Sequence, residues 1–390
     1  MRVTRSGSVR AGVLLTSLSL ALAVAACGSS STPTSGGGGN TSAAAAAAAK
    51  ADALVVAERG NAQFPSTITP FNASAARGKK VWWISNLASN SFTTLIYNPF
   101  VQAMALENVS VHLCDGQGSA SVESRCIEEA IVAHPDQIFI QDISIPSIQG
   151  AINDAHKANV TVTEWANDNA GTGPSAGDAA ETTYCYSCAG KDIADDVVAL
   201  SKGNVDATII TSSDVPVSAS EAQAIEAEFG AICPVTCKFQ TQDVLIANWT
   251  TGLPVMARTI VANPNVNWII PMFDPETTFL DPAIIAANAA GRVHVASYNA
   301  TSGAVQQLQM ANNPLWVDVG SSLTWSGYAC ADMVFRVLAG VAPLSDTAES
   351  IPIRDFDRTN AASVNFSAPD SAWYGTTNFI ADYKTAWGVS

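Results

Sequence analysis

The sequence predicts an α/β protein of two doubly wound parallel-sheet lobes with a cleft between them. Three observations predict it. From Lys79 onward, short apolar runs of strand length alternate with segments of helical spacing. The alternation starts over near Asp192, as if one architecture were used twice. With 390 residues, 48% of them hydrophobic, the chain is also long enough for two cores.

The elements follow in order. Val81-Trp82-Trp83-Ile84-Ser85 is a compact apolar run, as expected of a parallel strand covered on both faces. Phe92 to Leu106 has helical spacing, with Leu95, Phe100 and Met104 on its buried stripe and Pro99 as a possible start. Val109 to Leu113 reads as a strand, Ser121 to Ala133 as a helix and Gln137 to Gln141 as a third strand. Ser147 to Ala158 is helical and Val160 to Thr163 a fourth strand. In the second round the helices fall at Asp192–Lys202, Ser220–Phe229, Leu253–Ala262 and Pro282–Ala290. Its strands fall at Ala207–Ile210, Asp243–Ile246, Trp268–Pro271 and Val293–Ala296. Such alternation implies right-handed crossovers.

Ahead of this body, Arg2, Arg5 and Arg10 precede an apolar stretch from Val13 to Ala26, too short to span a membrane. Val24-Ala25-Ala26-Cys27 resembles the lipobox of bacterial lipoproteins, which implies acylation of Cys27 after removal of residues 1–26. Gly28 to Ser42 is rich in Gly, Ser and Thr and reads as a flexible spacer. Ala43 to Ala49, with Lys50 to Val56, can instead form a helix that starts the folded body. The chain carries 19 basic and 34 acidic residues, and the removed segment holds only arginines. That balance argues against nucleic acid as a partner.

Setting Cys27 aside leaves seven cysteines in an export compartment where disulfides persist. Cys114 with Cys126, Cys185 with Cys188 and Cys233 with Cys237 are the disulfide candidates, and Cys330 is a buried free thiol. Two alternatives stay open at this point. One is a four-thiolate zinc site from Cys185, Cys188, Cys233 and Cys237, and the other a redox pair at Cys185 and Cys188.

Several local sequences, taken in order from Lys79 to Gly340, resemble the type I periplasmic binding proteins, in particular the sugar-binding lipoproteins of ABC importers. These are Ser89-Asn90-Ser91-Phe92 after the first strand, Asp115-Gly116-Gln117 after the second, and Ala155 to Val162 leading into the fourth. Asn263-Pro264-Asn265-Val266 and Arg336 to Gly340 match similarly, and Phe379 to Gly388 looks like the ending of some actinobacterial members. The resemblance implies three hinge crossovers, a small-molecule ligand such as a sugar between the lobes, and an ABC permease as membrane partner. Matching position, it places ligand contacts at Asn90, Phe92, Trp165, Asn167, Asp274, Asn299 and Ser321. Ala166-Asn167 departs from the acid and arginine common in sugar binders, and Asn299 from an aspartate. Trp165, Trp249 and Trp325 can compensate by stacking, or be core residues. For Asn90, Asn167 and Asn299 the plain alternative is a turn or a helix cap. The expected division is a signal peptide over 1–26, a tether over 27–50, a first lobe of 51–180 and 322–350, and a second of 181–321 and 351–390.

Chemistry has weaker support. Gly173-Pro174-Ser175-Ala176-Gly177 fits the nucleophile elbow of an exported serine hydrolase, but follows a loop-forming run rather than a strand. His112, His134, His156 and His294 lack metal-ligand spacing. No catalytic residue, metal or cofactor is therefore expected. A sensor that binds a ligand in the same way and signals to a membrane receptor is the remaining alternative.

Overall fold

A computed structural model of the chain describes residues 38–389; the signal peptide, Cys27 and the spacer up to residue 37 lie outside them. The first described element, α1 (Gly38–Glu58), shows how the alanine run is used. Alanine has the highest helix propensity, and Ala44, Ala47, Ala51 and Val55 form one buried stripe of the helix. Residues 38–50, expected as tether, are thus helical.

The first lobe follows the expected alternation. It runs β1 (Lys80–Ser85), α2 (Ser91–Ala105), β2 (Ser110–Asp115), α3 (Ala120–Ala133), β3 (Gln137–Gln141), α4 (Ile145–Lys157), β4 (Thr161–Trp165) and the short β5 (Glu181–Thr182). The strands pair in parallel in the order β2-β1-β3-β4-β5. Ser85 stands level with both Asp115 and Gln141, so the loops after β1, β2 and β3 leave the sheet at one height. Trp83 anchors the core between Phe100 and Phe139, with ring centroids 4.7 and 4.4 Å away, and its indole N–H donates to Gln141 Oε1 at 2.8 Å.

The second lobe repeats the plan. It contains α5 (Tyr186–Leu200), β6 (Val205–Thr211), α6 (Ser218–Ile232), β7 (Cys237–Asp243), α7 (Trp249–Val261), β8 (Trp268–Pro271), α8 (Asp274–Ala286), β9 (His294–Tyr298), α9 (Ser302–Leu308) and β10 (Leu315–Gly320). The chain then returns through α10 (Leu323–Leu338) and α11 (Asp346–Glu349), adds β11 (Arg354–Asp357), and ends in α12 (Phe379–Trp387). The second sheet reads β7-β6-β8-β9-β10-β11, parallel except for the antiparallel edge strand β11. Two elements differ from the sequence expectation. β7 precedes the expected strand, because the segment from Lys238 to Gln242 forms an exposed sheet edge while the chain after it leaves the sheet and brings Ile246 to the cleft. α8 starts eight residues early, with Pro275 in its first turn where a missing N–H costs nothing.

Lobe membership also departs from the expected boundaries at both ends. α10 packs on α2, where Gly327 lets the two backbones approach: a Cβ there would lie 2.6 Å from the Ile96 carbonyl oxygen. α12 lies on α10, with Trp387 donating to Asp332 at 2.7 Å and Phe379 stacked on Trp325, so residues 379–387 sit on the first lobe. Conversely Arg59, just after α1, pairs with Asp196 of α5 at 3.2 Å and with Asp357 of β11 at 2.6 Å, which ties the amino-terminal helix to the second lobe. Between them, the chain crosses from lobe to lobe near 183–185, 321–322 and 350–353.

Disulfides join Cys114 to Cys126, Cys185 to Cys188 and Cys233 to Cys237, with Cα separations of 5.9, 5.1 and 5.3 Å. The four thiols considered for zinc are thereby used in pairs. Cys330 is free and buried within α10.

Candidate functional site

In each sheet the order reverses between the first and third strands of the lobe, β1/β3 and β6/β8. Open α/β sheets bind ligands in the crevice beyond the carboxyl ends of the strands at such a point. Here the two crevices face each other and enclose one cavity. From the first lobe, the loop after β1 supplies Asn86, Leu87 and Asn90, the first turn of α2 supplies Phe92 and Thr93, and the loop after β3 supplies Asp142. The second lobe contributes Tyr186 from α5, Val215 after β6, Ile246 and Trp249 after β7, Phe273 and Pro275 after β8, and Asn299 after β9.

Local bonding fixes these groups. Asn86 N–H donates to the Gln141 carbonyl and the Asn86 carbonyl accepts from Gly118, so the β1 loop is stitched to both neighbouring strands. Asp115 holds the same loop by accepting from Ala88 N–H at 2.9 Å. Asp142 stands in the left-handed region at φ 53°, and its Oδ2 accepts from Gln141 Nε2 at 3.0 Å. Burial pushes its carboxyl up to about 7, with the Gln141 bond opposing. Trp249 is clamped by its indole N–H to Ser212 Oγ at 2.9 Å, and that hydroxyl donates on to the Val244 carbonyl. Tyr186 leans edge-on against Tyr184 and Tyr298, and Tyr184 OH meets Ser326 Oγ of α10 at 2.5 Å, an aromatic cluster at the crossovers.

Two acids flank the cavity from opposite lobes. Glu123 of α3 packs against Gly116, and Asp214 accepts from the N–H of the cavity residue Ile246. Burial, and then the charge of Asp214, raises Glu123 to about 7.

Of the residues singled out in the sequence, Asn90, Phe92 and Asn299 line the cavity. Asn90 is also a helix cap: its Oδ1 accepts from Phe92 N–H at 3.0 Å. The other four do not line it, although Asn167 lines a second pocket with Ser144, Pro146 and Pro216. Trp165 is fully buried against Tyr184. Asn167 accepts from Ile143 N–H and donates to Glu164 Oε2, which braces the loop after β3. Asp274 accepts from both the N–H and the hydroxyl of Thr301, at 2.8 and 2.7 Å; burial raises it to about 6 against those bonds. Ser321 is buried at the crossover. Asn86, Asp142, Tyr186, Val215, Ile246 and Phe273 had not been singled out, and Trp249 only as a stacking candidate.

The elbow-like loop does not assemble a hydrolase triad. Ser175 Oγ donates to Glu164 Oε2 at 3.1 Å, whereas His156 pairs with Asp178 at 2.7 Å, so the serine faces a carboxylate and not the imidazole a general base would require.

No protein-family model matches the chain, and no curated protein matches its sequence. Solved structures share its fold. A 5-methylthioribose transporter solute binding protein from Thermotoga lettingae, in complex with 5-methylthioribose, is 14% identical with a TM-score of 0.68, covering 80% of this chain and 99% of that one. A sugar ABC transporter protein from Yersinia enterocolitica is 16% identical with a TM-score of 0.66, covering 84% and 97%. A carbohydrate transporter protein from Acidothermus cellulolyticus, in complex with myo-inositol, is 17% identical with a TM-score of 0.62, covering 75% and 99%. The chain therefore has the two-lobed α/β fold of the solute-binding proteins of ABC sugar transporters.

Proposed function

We propose that the chain is the extracytoplasmic substrate-binding protein of an ABC importer and closes its two lobes on a sugar or similar small polar ligand. The observation that carries this reading is a cavity at the paired switch points, with walls from both lobes. Only a ligand that touches both walls favours the closed arrangement through its differential affinity. Asn90 and Phe92 hold it from the first lobe and Asn299 from the second, joined by Asn86, Asp142, Tyr186 and Trp249. Trp165, Asn167, Asp274 and Ser321 act one layer back, by fixing the loops that carry these contacts.

The lipobox resemblance at Cys27 supports an acyl anchor that keeps the lobes near a membrane permease. A single acyl chain binds a membrane marginally, so the anchor carries more than one. Mass spectrometry of the mature amino terminus tests this part, and an unmodified Cys27 overturns it.

A thermal-shift screen of sugars and polyols, followed by tryptophan fluorescence, tests the binding reading. A ligand stabilises the folded protein by mass action, by about 2.7 kcal/mol at a hundredfold excess over Kd, and so raises the melting temperature. The emission of Trp249 then changes on closure. If no sugar or polyol produces either response, the reading fails.

A further inference from the structure

The cavity is lined by one residue with a buried acceptor that no protein group satisfies, and among the described residues no basic side chain lines it. Asn86 is buried, and its Nδ2 donates to the Asp142 backbone carbonyl at 2.8 Å. A carbonyl can only accept, so this bond fixes which end of the amide is nitrogen. The opposite end, Oδ1, is therefore an acceptor, and it is buried without a hydrogen-bond partner in a residue that lines the cavity. Leaving it so is costly, and a ligand donor would remove the cost.

Asp142, whose backbone Asn86 grips, adds a carboxylate to the same wall, with only Oδ2 held by Gln141. No lysine or arginine lines the cavity, and the flanking groups Glu123 and Asp214 are acids too. Phe92 stands on the same wall and Tyr186, Trp249 and Phe273 on the opposite one, and aromatic rings attract cations to their faces. The formal charge of -15 over the whole chain steers cations toward it as well.

We infer that the cleft holds its ligand by a protonated primary amine, which donates to Asn86 Oδ1 and the Asp142 carboxylate while the ligand's carbon skeleton lies against Phe92 and Trp249. The inference rests on the binding reading above and narrows it to amine-bearing sugars, aminocyclitols and similar polyols. Sugar acids and sugar phosphates are disfavoured, because they would bring an anion beside Asp142 where no basic side chain among the described residues lines the cavity to offset it.

Isothermal titration of the mature protein at neutral pH with matched probes tests this: glucosamine, glucose and glucuronate, then galactosamine, galactose and galacturonate, then an amino-inositol beside myo-inositol. The expected result in at least one set is an amine that binds about tenfold tighter than its neutral isostere, with the acid weakest. Asp142→Asn brings the amine to parity with the neutral compound and leaves the latter bound. Asparagine suits the left-handed backbone there, so the variant keeps its loop. Asn86→Ala is the independent probe of the second acceptor, and it weakens the amine more than the neutral sugar. A neutral or acidic probe that binds as tightly as its amine overturns the inference while leaving the binding reading intact. If no probe of any charge binds, both fall.

Discussion

The first-lobe wall of the cleft presents Asn86, Asn90 and Asp142 beside Leu87 and Phe92, whereas the second presents Tyr186, Val215, Ile246, Trp249, Phe273 and Pro275 with Asn299 as its single amide. Both walls grow from the same strand order, so topology does not set the difference. In the first lobe the loops after β1 and β3 are bonded to each other and to neighbouring strands, which leaves polar side chains fixed at the rim. In the second, the apolar segment after β7 abandons the sheet edge and delivers Ile246 and Trp249 to the cleft, and the one polar atom of the indole is used within the wall by Ser212. One wall is polar and held in place by hydrogen bonds, and the other is mostly apolar.

The largest expected effect comes from breaking the apolar wall. Trp249→Ala weakens ligand binding by about 2–3 kcal/mol, roughly thirty- to 150-fold in Kd by calorimetry, because a large ring near the centre of a buried contact is lost. An unchanged Kd would remove the second wall from the site.

On the polar wall, Asn90→Ala costs about 1 kcal/mol of stability, since its Oδ1 caps α2. A denaturant melt measures that loss. The affinity loss stays well below that of Trp249→Ala, and an equal loss would make Asn90 a principal ligand contact.

The smallest effect probes the rim where the walls meet. Folding raises the Glu123 pKa to about 7, so the folded protein holds this proton more tightly than the unfolded chain. The resulting stability is full below the ordinary glutamate value and is lost as pH rises through about 7. Glu123→Gln therefore raises the melting temperature above that pH, by about 1 kcal/mol or less, and has no effect near pH 4. It also tightens ligand binding a few-fold at the higher pH, since the closed lobes no longer bring Glu123 and Asp214 together as like charges. A gain equal at both pH values would show that charge is not the cause.

The strand and helix alternation was legible because core strands such as Val81–Ser85 and Gln137–Gln141 are compact apolar runs bounded by polar loops. The edge strand β7 was not, since it carries no apolar period, and the run after it resembled a strand more than β7 does. At the site, position after a strand end placed Asn90, Phe92 and Asn299 at the cavity. It could not give side-chain direction: Asn167 and Asp274 also follow strands, but Glu164 and Thr301 draw them into the wall. Asp142 follows β3 as Asn90 follows β1, so the switch-point rule applied to both strands was a signal that could have found it.

Of the three disulfides among the described residues, Cys114–Cys126 and Cys233–Cys237 each close a short segment inside one half, Cys185–Cys188 closes one at the exit of the first crossover, and none staples one half to the other. These cross-links thus harden local segments without setting the angle between the halves. No sulfur bridge fixes that angle, so if the lobes close as proposed, the balance between open and shut falls to non-covalent contacts that one small guest can tip.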